Sequence, residues 1–282
     1  MILPGTIGVV VGFPTAASRF VAGSGFVIEE VTATSVTGHA DFGPDQHTPW
    51  GMVHGGVYTT IVESAGSVGA SRAVLERGQF AVGVHNATDF LRPTSGGRAL
   101  VRATALHQGR TQQLWEVIIT AEDSGKDLAR TCPCRRRGRG SDRVAAGELP
   151  GPPISGHMRM DLIEVREGTA VFRCQPDESH YNPIRAVHGG VMCTVLDSAL
   201  GCAAHSAQRA GRGGYTSIEI TVNYLRPVRA DSGPLTCTGT VVKAGPPDGG
   251  TVARPAARPF RFGATRMAPL RRSWVLVIPA TP

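Results

Sequence analysis

Two His-Gly-Gly motifs, each followed by a carboxylate, are the residues of this sequence best suited to chemistry. One motif occupies residues 188–190 and precedes Asp197, and the other occupies residues 54–56 and precedes Glu63. Each motif opens an apolar segment. If that segment is a helix, its first N–H groups are unpaired and carry partial positive charge, which suits an oxygen that gains negative charge. A carboxylate enclosed in such a helix has a raised pKa, which suits it to take a proton from water.

The two motifs belong to one repeat with a period of 134 residues. Across residues 53–70 and 187–204, nine of eighteen positions are identical without a gap. A second pair of segments, Phe-Leu-Arg-Pro at 90–93 and Tyr-Leu-Arg-Pro at 224–227, has the same separation. The chain therefore contains one module twice.

Each motif must be positioned by an enclosed helix. The segment from 57 to 78 has only Glu63 as a charged residue before Arg72, and Gly78 predicts its end; a second helix is predicted from about 187 to 210. A helix with almost no polar face has to be surrounded by protein. Extended runs at 80–91, 98–107 and 112–122 are joined by short loops, which favours antiparallel strands. We therefore predict an α+β fold in which each module is a long buried helix wrapped by an antiparallel β-sheet.

The repeat also predicts the domain boundaries. We expect an N-terminal extension at 1–25, a first module at 26–130, an Arg/Gly/Pro-rich linker at 131–156, a second module at 157–245 and a divergent tail at 246–282. Prolines in the tail argue against a paired strand there, because proline cannot donate to a sheet ladder. The run WVLVI at 274–278 predicts an edge strand.

Composition excludes several other classes of protein. A hydrophobic content of 41% and a charged content of 18% are typical of a globular protein without a membrane span. Much of the net charge of +7 lies at 135–139 and in the tail, without an interleaved series of aromatics, so no nucleic-acid partner is predicted. The six cysteines have neither zinc spacing nor the density of a disulfide framework. We expect a cytoplasmic protein with no metal and no cofactor.

Helix geometry predicts that the two modules share their sites. A spacing of nine residues places a motif histidine and its acid on opposite faces of one helix, about 13 Å apart, so they cannot serve one small carbonyl group. We therefore expect the helix start at 188–189 to work with Glu63, and the helix start at 54–55 to work with Asp197.

These features resemble the hotdog-fold thioesterases, above all the phenylacetyl-CoA thioesterase (PaaI-like) branch, present here as a tandem double hotdog. The shared features are the His-Gly-Gly that opens an enclosed helix, the acid nine residues later and the strand that ends in aromatic-Leu-Arg-Pro. The resemblance covers roughly 26–130 and 157–245. It implies hydrolysis of an acyl-CoA to a carboxylic acid and CoA. It also implies that the two modules pair within the chain and that the protein can form a further homo-oligomer.

The resemblance also implies roles for individual residues. Asn182 would help to hold the thioester carbonyl, the N–H of Gly189 would form the oxyanion site, Asp197 would be the general base or nucleophile, and Ser217 would orient the water. The catalytic residues expected over both sites are Asp197, Glu63, Asn182, His188, Gly189, His54, Gly55 and Ser217. The substrate-binding residues expected are Gly190, Gly56, Arg226 and Arg92.

The first module departs from this pattern at two positions. Thr48 stands where the second module has Asn182, and Gly83 stands where it has Ser217. These differences favour an alternative function, a non-catalytic or weakly active protein that binds acyl-CoA. A hotdog dehydratase or hydratase is a third alternative, but the sequence lacks a His-Asp pairing of that type.

Plainer structural roles remain open for the same residues. The two acids could be capped by neighbouring helix ends, and the two histidines suit stabilising a helix start better than proton transfer, because no acid lies within one helical turn of either. Arg92 and Arg226 fit a CoA phosphate or a strand-end salt bridge equally well. We expect Ser64 and Ser198 to be helix-packing residues, since no nucleophile-elbow sequence surrounds them.

Overall fold

The computed structural model describes residues 19–131, 153–182, 184–207, 217, 219–243, 252–258 and 273–279. Its helices are α1 (Arg19–Gly23), α2 (Gly55–Val74), α3 (Pro153–His157) and α4 (Gly189–Ser206). The strands that precede residue 132 are β1 (Phe26–Val31), β2 (Ser35–Phe42), β3 (Gln79–Phe90), β4 (Gly97–Gln108), β5 (Gln112–Ala121) and β6 (Asp127–Arg130). The later strands are β7 (Met160–Arg166), β8 (Thr169–Cys174), β9 (Glu219–Asn223), β10 (Leu235–Lys243), β11 (Val252–Arg258) and β12 (Ser273–Pro279).

The helices α2 and α4 are the buried centre of the molecule, as the absence of a polar face predicts. Gly69 lets β5 approach α2 closely, because a Cβ at this position would lie 2.5 Å from the ring of the fully buried Trp115. A short 3-10 turn follows α2 and ends at Gly78, whose φ of 65° is in the left-handed region that favours glycine. None of the helices described is long and apolar enough to cross a membrane.

Two antiparallel sheets surround these helices. The larger sheet has the order β1-β2-β4-β5-β12-β3-β6, with β9 also paired to β3, and the smaller has the order β11-β10-β8-β7. In the β3–β9 pair Ala87 lies opposite Thr221, its counterpart 134 positions later, so a local twofold axis passes through this point. The predicted α+β fold, with a long buried helix and an antiparallel sheet in each module, is confirmed.

The two buried helices touch at glycines that follow the histidines. A Cβ on Gly56 would lie 2.4 Å from the hydroxyl of Thr194, and a Cβ on Gly190 would lie 2.4 Å from the hydroxyl of Thr60. The contact is reciprocal because these residues are equivalent in the two modules. Glycine is therefore needed here for helix packing, and this close approach brings the start of each helix to the middle of the other.

The tail differs from the sequence-based expectation in two respects. The strand β12 is not an edge strand but lies between β5 and β3, because β6 has only four residues and reaches β3 only near Phe90. β12 fills the remaining gap from Gln79 to His85. The strand β11 also forms despite Pro255, which is tolerated because β11 is at the edge of its sheet.

The remaining boundaries stay predictions. The short helix α1 lies within the predicted extension, and α3 begins in the predicted linker and ends at His157, the first residue of the predicted second module. Residues 1–18, 132–152 and the predicted helix end at 208–210 lie outside the described residues. The basic run at 135–139 lies outside them as well.

Candidate active site

His54 begins α2 and connects it to the second module. Its Nδ1 accepts a hydrogen bond of 2.9 Å from the N–H of Gly56, so that it caps the first turn of the helix. Its Nε2 lies 3.2 Å from the hydroxyl of Ser198 on α4. Because Nδ1 is an acceptor, the neutral ring carries its proton on Nε2 and donates it to this hydroxyl.

His188 makes the equivalent connection from α4. Its Nδ1 accepts from the N–H of Gly190 at 3.0 Å, and its Nε2 lies 3.0 Å from the hydroxyl of Ser64 on α2. Burial lowers the pKa of His188 to about 4, so the ring is neutral at physiological pH. The two serines, expected as packing residues, thus also link the modules by hydrogen bonds, and the histidines stabilise both helix starts.

The structure brings each acid to the helix start of the other module. Asp197 Oδ2 lies 2.6 Å from the position of a Cβ on Gly55, and 3.2 Å from His54 Nδ1. Glu63 Cδ lies 3.1 Å from the position of a Cβ on Gly189. Two composite sites result, which we name the Glu63 site and the Asp197 site after their acids.

In the Glu63 site the carboxyl occupies space that a side chain at residue 83 would need. A Cβ on Gly83 would lie only 1.8 Å from Glu63 Oε1. Asn86 donates to Oε2 over 3.5 Å and Ser67 donates to Oε1 over 3.4 Å, while Tyr224 is the third hydrogen-bond partner. Burial outweighs these bonds and raises the pKa of Glu63 to about 7.

In the Asp197 site the acid is shorter and a serine lies beside it. Ser217 donates a hydrogen bond of 2.5 Å to Asp197 Oδ1. Aromatic rings pack nearby: Phe90 Cζ lies 3.0 Å from the position of a Cβ on Gly55, and the ring of Phe90 lies 6.0 Å from that of Tyr58. The two sites therefore differ in the acid, in its hydrogen-bond donors and in the adjacent aromatic residue.

The other predicted site residues have local contacts. Asn182 Oδ1 accepts hydrogen bonds from the N–H groups of Ile184 and Ala186, and so holds the loop that precedes α4. Arg92 is exposed and donates to the backbone carbonyl of Asp127 over 2.7 Å, and Arg226 is exposed. Substrate roles for these three predicted residues, and for the packed glycines Gly56 and Gly190, stay predictions.

The sequence alone does not identify three residues of the Glu63 site: Ser67, Asn86 and Tyr224. Ser67 could have been found, because it follows Glu63 by four residues and such residues are neighbours on a helix. The other two depend on how β3 and β9 pair. Within the described parts of the chain, no group of three or more His, Cys, Asp and Glu side chains is placed to hold a metal ion.

Comparison with known proteins identifies the family. The sequence pattern of the thioesterase superfamily matches residues 51–128 and 185–246, once in each module. A hot dog fold protein of unknown function from Alicyclobacillus acidocaldarius aligns over 95% of this chain and 100% of its own, with a TM-score of 0.56 and 12% identity, which shows the fold. The chain belongs to the thioesterase superfamily and has the hotdog fold, as the sequence predicts.

Individual relatives match one part of the chain. A candidate esterase from Mycobacterium tuberculosis is 45% identical over 82 residues, which are 28% of this chain and 58% of that protein. The 1,4-dihydroxy-2-naphthoyl-CoA hydrolase of Listeria monocytogenes is 34% identical over 76 residues, which are 27% of this chain and 61% of that protein. The chain thus spans about three fifths of the length of these relatives.

Proposed function

We propose that the protein hydrolyses acyl-CoA thioesters to a carboxylic acid and CoA, through water activated by a buried carboxylate. The observation that carries this proposal is the placement of each acid at the helix start of the other module. Glu63 Cδ lies 3.1 Å from the position of a Cβ on Gly189, and Asp197 Oδ2 lies 2.6 Å from that of a Cβ on Gly55. The name of the Listeria relative, a CoA thioester hydrolase, supports this class of substrate.

The reaction needs an electrophilic site and a base that face each other. In our proposal the thioester carbonyl oxygen accepts a hydrogen bond from the N–H of Gly189. Because glycine has no side chain, the substrate can approach this N–H closely. Glu63 takes a proton from a water molecule, and the resulting hydroxide attacks the carbonyl carbon. When the tetrahedral intermediate collapses, the C–S bond breaks and the thiolate of CoA takes the proton that Glu63 accepted from the water, which regenerates the carboxylate.

The hydrogen-bonded histidines support this arrangement without entering the chemistry. His188 uses Nδ1 for the N–H of Gly190 and Nε2 for Ser64, so both ring nitrogens are occupied. It fixes the start of α4 against the helix that carries Glu63. We assign the same role to His54 in the Asp197 site, where Ser217 holds the acid. The PaaI-like branch and a further homo-oligomer stay predictions.

Thiol release from a panel of acyl-CoAs, with short and long aliphatic and aromatic acyl groups, tests the proposal. Glu63→Gln and Asp197→Asn should each remove the turnover of one site, and the double variant should lose about 10²–10⁴-fold, the usual contribution of a general base. Glu76→Gln is the matched control, because this acid follows the same helix but its side chain is 87% exposed.

Two results would contradict the proposal. A double variant that hydrolyses acyl-CoA at the parent rate would exclude the carboxylates as bases. A parent protein that binds acyl-CoA in a calorimeter but releases no thiol from any member of the panel would support the binding protein instead.

A further inference from the structure

The strand β9 approaches both sites with its two ends. Ser217 precedes the strand and donates to Asp197 Oδ1. Tyr224 follows the strand directly, and its hydroxyl lies 3.0 Å from the position of a Cβ on Gly189 and bonds to Glu63. A single strand of the second module therefore supplies a hydroxyl donor to each of the two acids.

The equivalent strand of the first module, β3, donates the amide of Asn86 to Glu63 but has no hydroxyl at the positions that match Ser217 and Tyr224. Its residues at the matching positions, 134 earlier, are Gly83 and Phe90, which lack a hydroxyl. The first module's hydroxyl donor to Glu63 is Ser67, on the same helix and at 3.4 Å from Oε1, and its amide donor is Asn86, at 3.5 Å from Oε2. The Glu63 site thus lacks the donor that Ser217 provides at the other site.

We infer that Tyr224 is a positioning residue of the Glu63 site, together with Asn86 and Ser67, and that its hydroxyl holds the carboxyl in place of the side chain that Gly83 lacks. The inference rests on the proposed function, because it gives the acid of that reaction its orientation. It adds a residue to the site and explains why one site keeps a glycine where the other has a serine.

Packing excludes a hydroxyl donor at residue 83. Glutamate is one methylene longer than aspartate, so the carboxyl of Glu63 extends into the space that a side chain at residue 83 would fill. Its Oε1 lies 1.8 Å from the position of a Cβ on Gly83. A donor at residue 83 is therefore excluded while the glutamate keeps this conformation. Tyr224 reaches the carboxyl from beside Gly189, where the substrate carbonyl is expected.

The neighbouring groups give this hydrogen bond its direction. Cys193 Sγ lies 2.9 Å from the hydroxyl of Tyr224. Burial raises the pKa of Cys193 to about 12 and that of Tyr224 well above its usual value, so both are protonated at neutral pH. The thiol can donate to the phenol oxygen, and the phenol donates to Glu63. Cys193 and Tyr224 are two titratable groups whose pKa values Glu63 raises, and β3 contributes the neutral Asn86.

The pH dependence of Tyr224→Phe tests the inference. In an Asp197→Asn protein, which leaves only the Glu63 site, kcat/KM should rise with pH around 7, the pKa of Glu63. Tyr224→Phe should move this rise to higher pH by roughly one unit, since a carboxylate that loses a donor holds its proton more tightly. The rate should fall about tenfold below pH 7 and much less above pH 9. Tyr58→Phe is the matched control, because it removes another buried phenol hydroxyl that has no hydrogen-bond partner in the described structure, and it should leave the rise in place.

A second measurement does not depend on turnover. NMR titration of protein labelled with ¹³C at the glutamate carboxyl should show the pKa of Glu63 higher by roughly one unit in Tyr224→Phe. An unchanged pKa, or an equal loss of rate at every pH, would overturn the inference and leave Tyr224 a packing residue. Failure of the proposed function would be seen separately, as an absence of thiol release by the parent protein.

Discussion

Replacing Gly83 with serine should displace the carboxyl of Glu63 while leaving the fold intact. A Cβ at residue 83 would lie 1.8 Å from Oε1, 2.6 Å from Cδ and 2.8 Å from Oε2. Non-bonded heavy atoms need about 3.5 Å, so the carboxyl oxygen has to withdraw by about 1.7 Å. The atoms in the way are the end of a flexible side chain, so the free energy of unfolding should fall by only about 1 kcal/mol.

The catalytic cost should be larger than the structural one. A displacement of about 1 Å costs about 10²-fold in rate, which corresponds to about 2.7 kcal/mol. The assay is kcat/KM for thiol release in the Asp197→Asn protein, with urea unfolding measured alongside. Gly43→Ser is the matched control, because a Cβ at Gly43 would meet nothing within 4 Å.

The second step of this test shortens the acid as well. Glu63→Asp with Gly83→Ser reproduces the Asp197 and Ser217 pair of the other site, so the double variant should recover at least about tenfold over Gly83→Ser alone. A Gly83→Ser protein that keeps its kcat/KM within about twofold would refute the reasoning. A double variant whose loss of kcat/KM equals the combined losses of the two single variants would also refute it.

Three further outcomes are expected. Gly190→Ala should lower the free energy of unfolding in urea by about 1–3 kcal/mol, because the new Cβ would lie 2.8 Å from the backbone of α2. Gly66→Ala is the control: the nearest atom to its Cβ would lie at 3.8 Å, so the substitution should be neutral or stabilising. Ser198→Ala should cost about 1–3 kcal/mol by leaving the Nε2 proton of His54 without an acceptor, and a cost near zero would contradict this hydrogen bond. The pKa of Glu63 is about 7 in the folded protein and 4.5 in a model peptide, so its contribution to stability is present below pH 4.5 and lost as the pH rises through 7. Glu63→Gln should therefore gain up to about 3 kcal/mol over the parent between pH 4.5 and pH 8, and equal pH curves of the two proteins would show that the carboxyl is not held protonated.

The sequence predicts the parts of this molecule that depend on local pattern and on the repeat. The apolar segment after each His-Gly-Gly predicts α2 and α4, and short loops predict the antiparallel neighbours β4 and β5. The spacing of nine residues predicts that an acid and the motif of its own helix point in different directions. Rigid helix geometry suffices for that step, and the structure places Glu63 next to Gly189.

The features that the sequence did not predict depend on partners distant in the chain. A strand such as β12 has an ordinary apolar pattern, and nothing in that pattern shows that its neighbours are β3 and β5. In the sequence, Tyr224 is recognisable only as part of the motif that ends a strand. Its proximity to Glu63 follows from the antiparallel register of β9 on β3, which a single sequence does not specify.

The fusion of two modules explains why the sites can differ without losing their donors. Two copies of the first module would place Glu63 beside Gly83 and Phe90, which have no hydroxyl. Of the hydroxyls of Ser67, Ser217 and Tyr224, only that of Ser67 would then remain, at 3.4 Å. Two copies of the second module would place two hydroxyls, from residues 217 and 224, around each aspartate. In the fused chain one strand divides these hydroxyls between two acids of different length. Each acid keeps a donor, and the longer acid uses the space that the glycine leaves open.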